Sequence, residues 1–359
     1  MQAYKTDFNE KSMVMCLNFS IWVTTGCNLR CVYCYEGEEK KREDLSASRA
    51  QKIVDYIKKK AEFTEKTKGT KLERISIELH GGEPLVNFRG VKAFIDTVND
   101  TLAEYNVSYQ MTTNATILND EILTFLKKNI EHLTISIDGD EITQDTCRRD
   151  AAGRGTYETV RQNSLKLLEV YGPSLRARMT FTSRTVERLS HNIMHIAAMG
   201  FKIIIAQPDL FDKKWDNDRV AILEREVKKL KQHKIADDVY INLEQPMVIQ
   251  KKGICSAGRD GENIMPNGDI YCCTMAVGNK DYCIGSIDKG IDEGSVDRIL
   301  SYSAKDIESC SGCAFSAYCD CIRCRIINKL VNDDYCAPIG IQCALNNIII
   351  KCNGYRRIS

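Results

Sequence analysis

The sequence predicts an α/β protein built on a parallel sheet, and three observations carry that expectation. Six short strand-like segments alternate with helical patterns over about the first 235 residues. Residues with chemical potential gather at the carboxyl ends of those strands, and twelve of the 17 cysteines lie beyond residue 254. Residues 17–23 read as an apolar-rich first strand that runs into the loop of Cys27. A helical pattern over 46–65 follows, with Ser46 as its N-cap. Residues 74–80 (RISIELH) alternate at period two, and 91–105 read as helix. Further strands fall at 107–113, 133–138, 175–182 and 202–207, separated by helical patterns at 119–129, 156–171 and 186–199. Six such units joined by right-handed crossovers suit a partial (β/α)6 TIM-like barrel. A heavily charged helix over 218–233 closes this part, so the expected domains are 1–235 and a cysteine-rich 236–359.

Composition narrows the function class. A chain of 359 residues with a formal charge of +1 is a poor match for a strongly basic nucleic-acid binder. Seventeen cysteines at this length fall below the density of disulfide miniproteins, and the number is odd. Residues 1–20 are polar until residue 13 and lack the apolar region of a secretory signal, and no run approaches 18 apolar residues. A cytoplasmic, reducing setting, with no membrane partner, is the expectation.

The most informative motif is Thr25-Gly26-Cys27-Asn28-Leu29-Arg30-Cys31-Val32-Tyr33-Cys34, in which Cys27, Cys31 and Cys34 have C-x3-C-x2-C spacing. Three thiolates can hold three irons of a [4Fe–4S] cluster and leave the fourth iron open. Structural zinc normally takes four ligands in paired knuckles, which this run does not offer. The spacing, with Tyr33 just before the third cysteine, resembles that of the radical S-adenosylmethionine (SAM) enzymes. The resemblance implies that the open iron chelates SAM and that a 5′-deoxyadenosyl radical takes hydrogen from unactivated carbon. It also implies a partial (β/α)6 barrel.

Parallel α/β folds place their sites at the carboxyl ends of strands, and the motifs fall there. His80-Gly81-Gly82-Glu83-Pro84 follows the second strand, Met111-Thr112-Thr113-Asn114 ends the third, and Ser136-Ile137-Asp138-Gly139 ends the fourth. Two adjacent glycines let the backbone approach a ligand closely. By the resemblance, Gly81, Gly82 and Glu83 hold the SAM amino group, with an ionic contact from Glu83, and Tyr33 and Asn114 join the same site. Ser136 and Arg148, the latter in a D-x-x-R segment from Asp145, are expected at the ribose and carboxylate. Arg149 is the alternative arginine.

Beyond Cys255 the run is Cys255-x12-Gly268-x4-Cys273, then Cys310-x2-Cys313-x5-Cys319, then Cys321, Cys324, Cys336, Cys343 and Cys352. It resembles the SPASM extension of radical SAM enzymes, which binds two auxiliary [4Fe–4S] clusters, for a total of three. The family's cysteine three residues after Cys319 is absent here, Arg323 standing in its place, so Cys321 or Cys324 must substitute; Cys324 is favoured. The resemblance then implies Cys310, Cys313, Cys319 and Cys343 for one cluster and Cys255, Cys273 and Cys324 for the other. The fourth ligand of the latter is Cys272, Cys283, Cys321 or an open position. Cys16, Cys147 and Cys352 read as buried or incidental thiols, and residues 265–269 as a hairpin turn presenting Cys272 and Cys273.

SPASM proteins mostly modify ribosomal peptides or proteins. The expectation is therefore a peptide maturase that installs a thioether, carbon–carbon or carbon–oxygen crosslink on a short precursor peptide. A flavodoxin or ferredoxin-type protein would supply its electron. Sulfatase maturases of the family carry an aspartate after the cysteine of Gly-x4-Cys, whereas Thr274 follows Cys273. Sulfatase-type formylglycine formation, peptide epimerisation, small-molecule modification and a non-catalytic iron–sulfur redox protein are the alternatives. Only 26 residues precede Cys27, so leader recognition is expected from a separate protein or another surface.

Overall fold

A computed structural model describes residues 15–37, 41–233, 235, 237–251, 253 and 255–357. Residues 1–14, on which the absence of a signal segment partly rests, lie outside the described residues. The chain opens with β1 (Cys16–Thr24) and a short β2 (Leu29–Cys31) inside the three-cysteine loop, followed by α1 (Ala47–Lys68). Ser46 caps α1 as expected, its hydroxyl accepting from the Arg49 amide, and Gly69 ends it in the left-handed conformation (φ 66°). Next come β3 (Arg74–Gly81), α2 (Phe88–Thr101), β4 (Val107–Thr113), α3 (Asp120–Asn129) and β5 (His132–Ser136). α2 begins three residues before its expected start because the Asn87 side chain accepts from the Gly90 amide and nucleates an earlier turn.

Then follow α4 (Glu141–Cys147), β6 (Arg148–Asp150), α5 (Tyr157–Tyr171), β7 (Arg176–Phe181), α6 (Leu189–Ala198), β8 (Ile203–Pro208) and α7 (Asn217–Gln232). The remaining elements are short: β9 (Tyr240–Ile241), β10 (Met247–Ile249), β11 (Glu262–Ile264), β12 (Asp269–Tyr271), β13 (Cys283–Ser286) and β14 (Gly290–Ile291). After them come α8 (Glu293–Ser301), α9 (Asp320–Arg323), α10 (Arg325–Asn332), α11 (Gly340–Asn353) and β15 (Tyr355–Arg357).

The six expected strands are β1, β3, β4, β5, β7 and β8, and they lie side by side in that order, all parallel. The α/β class and the partial-barrel order are therefore those of the sequence reading. The sheet is longer than six strands: β9 adds one parallel strand beyond β8, and β11 pairs in parallel with β1 (Ser20 opposite Asn263) on the other edge. β12, β13 and β14 continue from β11 as an antiparallel meander, with the expected hairpin at 265–269. The sheet thus runs unbroken across the boundary expected at 235/236, and the C-terminal segment completes the edge of the barrel.

Strand alternation decides where the core sits. Ile75, Ile77 and Leu79 of β3 and Ala177, Met179 and Phe181 of β7 are fully buried against the helical layer. The opposite phase is polar: Ser76, Glu78 and His80 on β3, Arg178 and Thr180 on β7. A parallel strand covered by packed apolar layers on both faces would be apolar throughout. Here one face packs and the other lines a hollow. No helix among the described residues is long and apolar enough to cross a membrane.

Candidate functional site

The three-cysteine loop is held from both sides. β2 pairs antiparallel with β6, setting Cys31 opposite Arg148, Arg30 opposite Arg149 and Leu29 opposite Asp150. The Asn28 and Asn114 side chains bond each other (2.9 Å), and Asn28 also donates to Thr116, so the loop is tied to the end of β4. From the other side comes the Gly-Gly-Glu turn. The Gly82 amide donates to the Thr24 carbonyl and the Glu83 amide to that of Gly26. A Cβ on Gly82 would stand 2.5 Å from the Gly26 carbonyl oxygen and 2.9 Å from Cβ of Cys27; one on Gly81 would stand 2.4 Å from the Thr24 carbonyl oxygen. The two glycines are required by the cysteine loop itself as well as by any ligand.

Glu83 is 1% exposed, and its carboxylate accepts from Thr113 Oγ1 (2.7 Å), the Asn114 amide (2.7 Å) and the Leu85 amide (3.2 Å). Burial raises its pKa, and these donors together with Arg148 pull it back. Three protein donors already occupy the group expected to meet an ammonium. Its first role is to fasten the β3 turn to β4.

Arg148 is buried (7% exposed), and its Nη1 donates to the Tyr33 phenol (2.9 Å), which donates in turn to Asp138. Asp138 is fully buried and also accepts from the Thr180 amide. The Nε of Arg148 has no partner. Arg149 is turned to solvent, its Nε on the Asp145 carbonyl, whereas Arg148 is buried. Asp145 does not reach the site: its carboxylate receives the Thr156 and Tyr157 amides at the start of α5. Burial pushes the Cys31 thiol up to about 11, an effect that the charge of Arg148 opposes.

All the expected SAM-site residues open onto one cavity of about 580 Å³: Tyr33, Gly81, Gly82, Glu83, Asn114, Ser136 and Arg148, together with Cys27, Cys31 and Cys34. Three thiols facing a common space, a buried arginine with an unfilled donor and glycines that hold the backbone close fit a three-thiolate cluster with a zwitterionic ligand. Sequence reasoning missed other lining residues: Tyr35, Glu78, Arg178 and Asp209 from the barrel, and Met275 and Ile327 from the C-terminal segment. Glu78 and Arg178 had a signal, since polar residues at the hollow-facing phase of a strand mark a lined space. Met275 and Ile327 had none.

Burial and Asp320 push the Cys324 thiol up to about 11, with Cys255 and Cys273 adding to the shift. Cys343 is raised by burial and by Cys319, Cys310 and Cys313. The fourth-ligand candidates separate on the same evidence. Cys321 is buried, its thiol donating to the Ile339 carbonyl, and the neighbouring Cys319 raises it. Cys283 packs with Trp22, Met265 and Tyr271. Cys272, buried in the main core, is raised by burial and then by Cys273 and Cys255. A second cavity of about 440 Å³ reaches Cys272 and Cys273 and shares Glu78 and Thr274 with the central one.

Comparison with known proteins gives a consistent family. A profile of the Radical SAM superfamily matches residues 21–204. An uncharacterized protein of Methanocaldococcus jannaschii, MJ0907, is 29% identical over 267 residues, 74% of this chain and 86% of its own. A cysteine-type anaerobic sulfatase-maturating enzyme of Clostridium novyi is 30% identical over 152 residues, 41% of this chain and 39% of that enzyme. Among solved structures, native anSMEcpe with bound AdoMet superposes at a TM-score of 0.75 and 17% identity, covering 93% of this chain and 96% of that one.

Proposed function

The chain belongs to the radical SAM superfamily, and from that premise we propose that it is a SPASM-type maturase that installs a crosslink in a short ribosomal peptide. The observation that carries this reading is the shared cavity: Thr274 and Met275, directly after Cys273, line the same space as Cys27, Cys31 and Cys34. Cysteines of the C-terminal segment therefore stand beside the substrate space, where an electron could leave the substrate. We assign Cys27, Cys31 and Cys34 to the SAM cluster. Cys310, Cys313, Cys319 and Cys343 form one auxiliary set, and Cys255, Cys273 and Cys324 the other, with Cys272 or an open position as its fourth ligand. When bound, SAM and its cluster supply a 5′-deoxyadenosyl radical able to take hydrogen from unactivated carbon. Arg148 holds the ligand's negative end, Tyr33 and Asp138 fix that arginine, and the Glu83 hydrogen bonds hold the Gly-Gly turn against the cysteine loop.

In crosslink formation the peptide would lose one hydrogen atom to the 5′-deoxyadenosyl radical, giving 5′-deoxyadenosine, together with one proton to solvent and one electron to the auxiliary clusters. The product is then lighter by two hydrogens. The test is mass spectrometry of a genomically adjacent peptide incubated anaerobically with reconstituted protein, SAM and a flavodoxin or ferredoxin-type donor. Unchanged mass with one deuterium gained from heavy water would mean epimerisation. Formylglycine formation is the second reading, favoured by the Clostridium novyi relative. Conversion of a sulfatase-peptide serine or cysteine would establish it in place of crosslinking. Against it stands Thr274 after Cys273, whose hydroxyl is bound to Asn263.

A further inference from the structure

Arg178, on the inner face of β7, lines the central cavity, and among the described residues its guanidinium makes no hydrogen bond and no ion pair. Its neighbours along the strand, Ala177 and Met179, are fully buried, while Arg178 itself is exposed into the hollow. The other arginine of the cavity is already engaged, Arg148 with Tyr33 and through it Asp138. A guanidinium stays charged at any physiological pH and presents five donors in a planar fork. Such a fork matches a group that returns two acceptor oxygens.

The surroundings define which group. Glu78 on β3 faces Arg178 without pairing with it: burial raises the Glu78 carboxyl, and the charge of Arg178 pulls it back. Tyr35 lies within the field of both. Among the described residues the Glu78 side chain accepts one hydrogen bond, from Ser20 at 3.4 Å. The cavity thus offers a cation and an acceptor on different walls, an arrangement that suits a peptide end or side chain: carboxylate on Arg178, amide N–H toward Glu78. A second carboxylate would be repelled by Glu78.

We infer that Arg178 is the receptor for a carboxylate carried by the peptide substrate, either its C-terminal α-carboxylate or an Asp or Glu side chain. The inference rests on the peptide-maturase reading. SAM's own carboxylate is the competing occupant.

The test uses the full chain, reconstituted anaerobically and loaded with SAM, and three sets of N-acetylated tripeptides read by affinity-selection mass spectrometry. One set has free C-terminal carboxylates and neutral side chains, one is the same set amidated, and one is amidated with a single Asp or Glu. At least one carboxylate-bearing set should be retained about tenfold or more over the neutral amides, the scale of a charge-assisted pair. The set retained identifies the source of the carboxylate. Arg178→Gln should abolish the preference and Arg178→Lys keep part of it, both with wild-type circular dichroism and unchanged SAM affinity. Equal retention of neutral amides would overturn the inference and leave the maturase reading standing. Loss of SAM affinity in Arg178→Gln would also overturn it, giving Arg178 to SAM. Failure to retain any peptide while SAM is still bound and cleaved would overturn both.

Discussion

The barrel and the C-terminal segment both hold thiols at fixed positions, and they do so by opposite means. The barrel hangs three cysteines on one loop and braces it with strands of five to nine residues, a continuous apolar core and the Asn28, Glu83 and Arg148 hydrogen bonds. From Cys255 onward the strands have two to four residues, and twelve cysteines are spread over turns, helices and one strand. The first region is made rigid by burial and positions its ligands beforehand. In the second the strands are shorter, and on the proposed assignment ligation would contribute to its folding, as in small metal-stabilised domains. The two regions are joined by the β1–β11 pairing, by α11 packing on α7 and by one apolar core that runs through both.

The largest effect that would sharpen this contrast is removal of iron. In cluster-free protein, amides of residues 308–357 should lose protection from hydrogen exchange by about 100-fold or more, while β3, β4 and β7 stay protected. Equal loss in both regions would break the comparison. A smaller effect is expected from Gly82→Ala. The added Cβ, 2.5 Å from the Gly26 carbonyl oxygen, must push the cysteine loop away, and a displacement near 1 Å costs about 100-fold in turnover. SAM cleavage assayed with a strong reductant checks it, and the auxiliary clusters should remain.

Acid sensitivity should belong to the barrel. Glu226 on α7 is buried; burial pushes its carboxyl up, but donation from Lys229 (2.5 Å) and Ser190 (2.6 Å) brings it below its ordinary value. A depressed folded pKa contributes stability above the unfolded pKa and loses it as pH falls through the folded one. Glu226→Gln should therefore lower the denaturation midpoint at pH 7, and the gap to wild type should close as the pH falls below the ordinary carboxylate range. A gap independent of pH would mean that the charge is not what matters. The smallest effect is reserved for Cys283→Ser: iron per chain should match wild type, whereas Cys324→Ser should lose iron. Loss of iron from Cys283→Ser would redraw the boundary between the two thiol groups.

How much was legible beforehand depended on whether the information is local. The six barrel strands, the Ser46 cap, the 265–269 hairpin and the cysteine spacings are all set within a few residues of chain, by alternation, capping and turn chemistry. Each appeared in the structure where the sequence placed it, give or take a few residues at the ends. The Gly-Gly-Glu turn was also legible, although its tightest neighbours, the Thr24 and Gly26 carbonyls, are more than fifty residues away.

Other features are matters of which surfaces meet. That Arg148 and not Arg149 faces the cavity follows from the register of β2 on β6, a pairing between segments far apart in sequence. Which cysteines neighbour Cys321 and Cys324 depends on contacts between segments far apart in the chain. The sharing of one cavity by Met275, Arg178 and the three-cysteine loop arises only when β11 docks on β1. The sequence by itself determined the elements and the chemistry each can offer, because those are fixed by neighbours along the chain. The tertiary structure alone decided which groups face one another, because packing a hollow barrel against a cysteine-rich edge sets distances that no local pattern encodes.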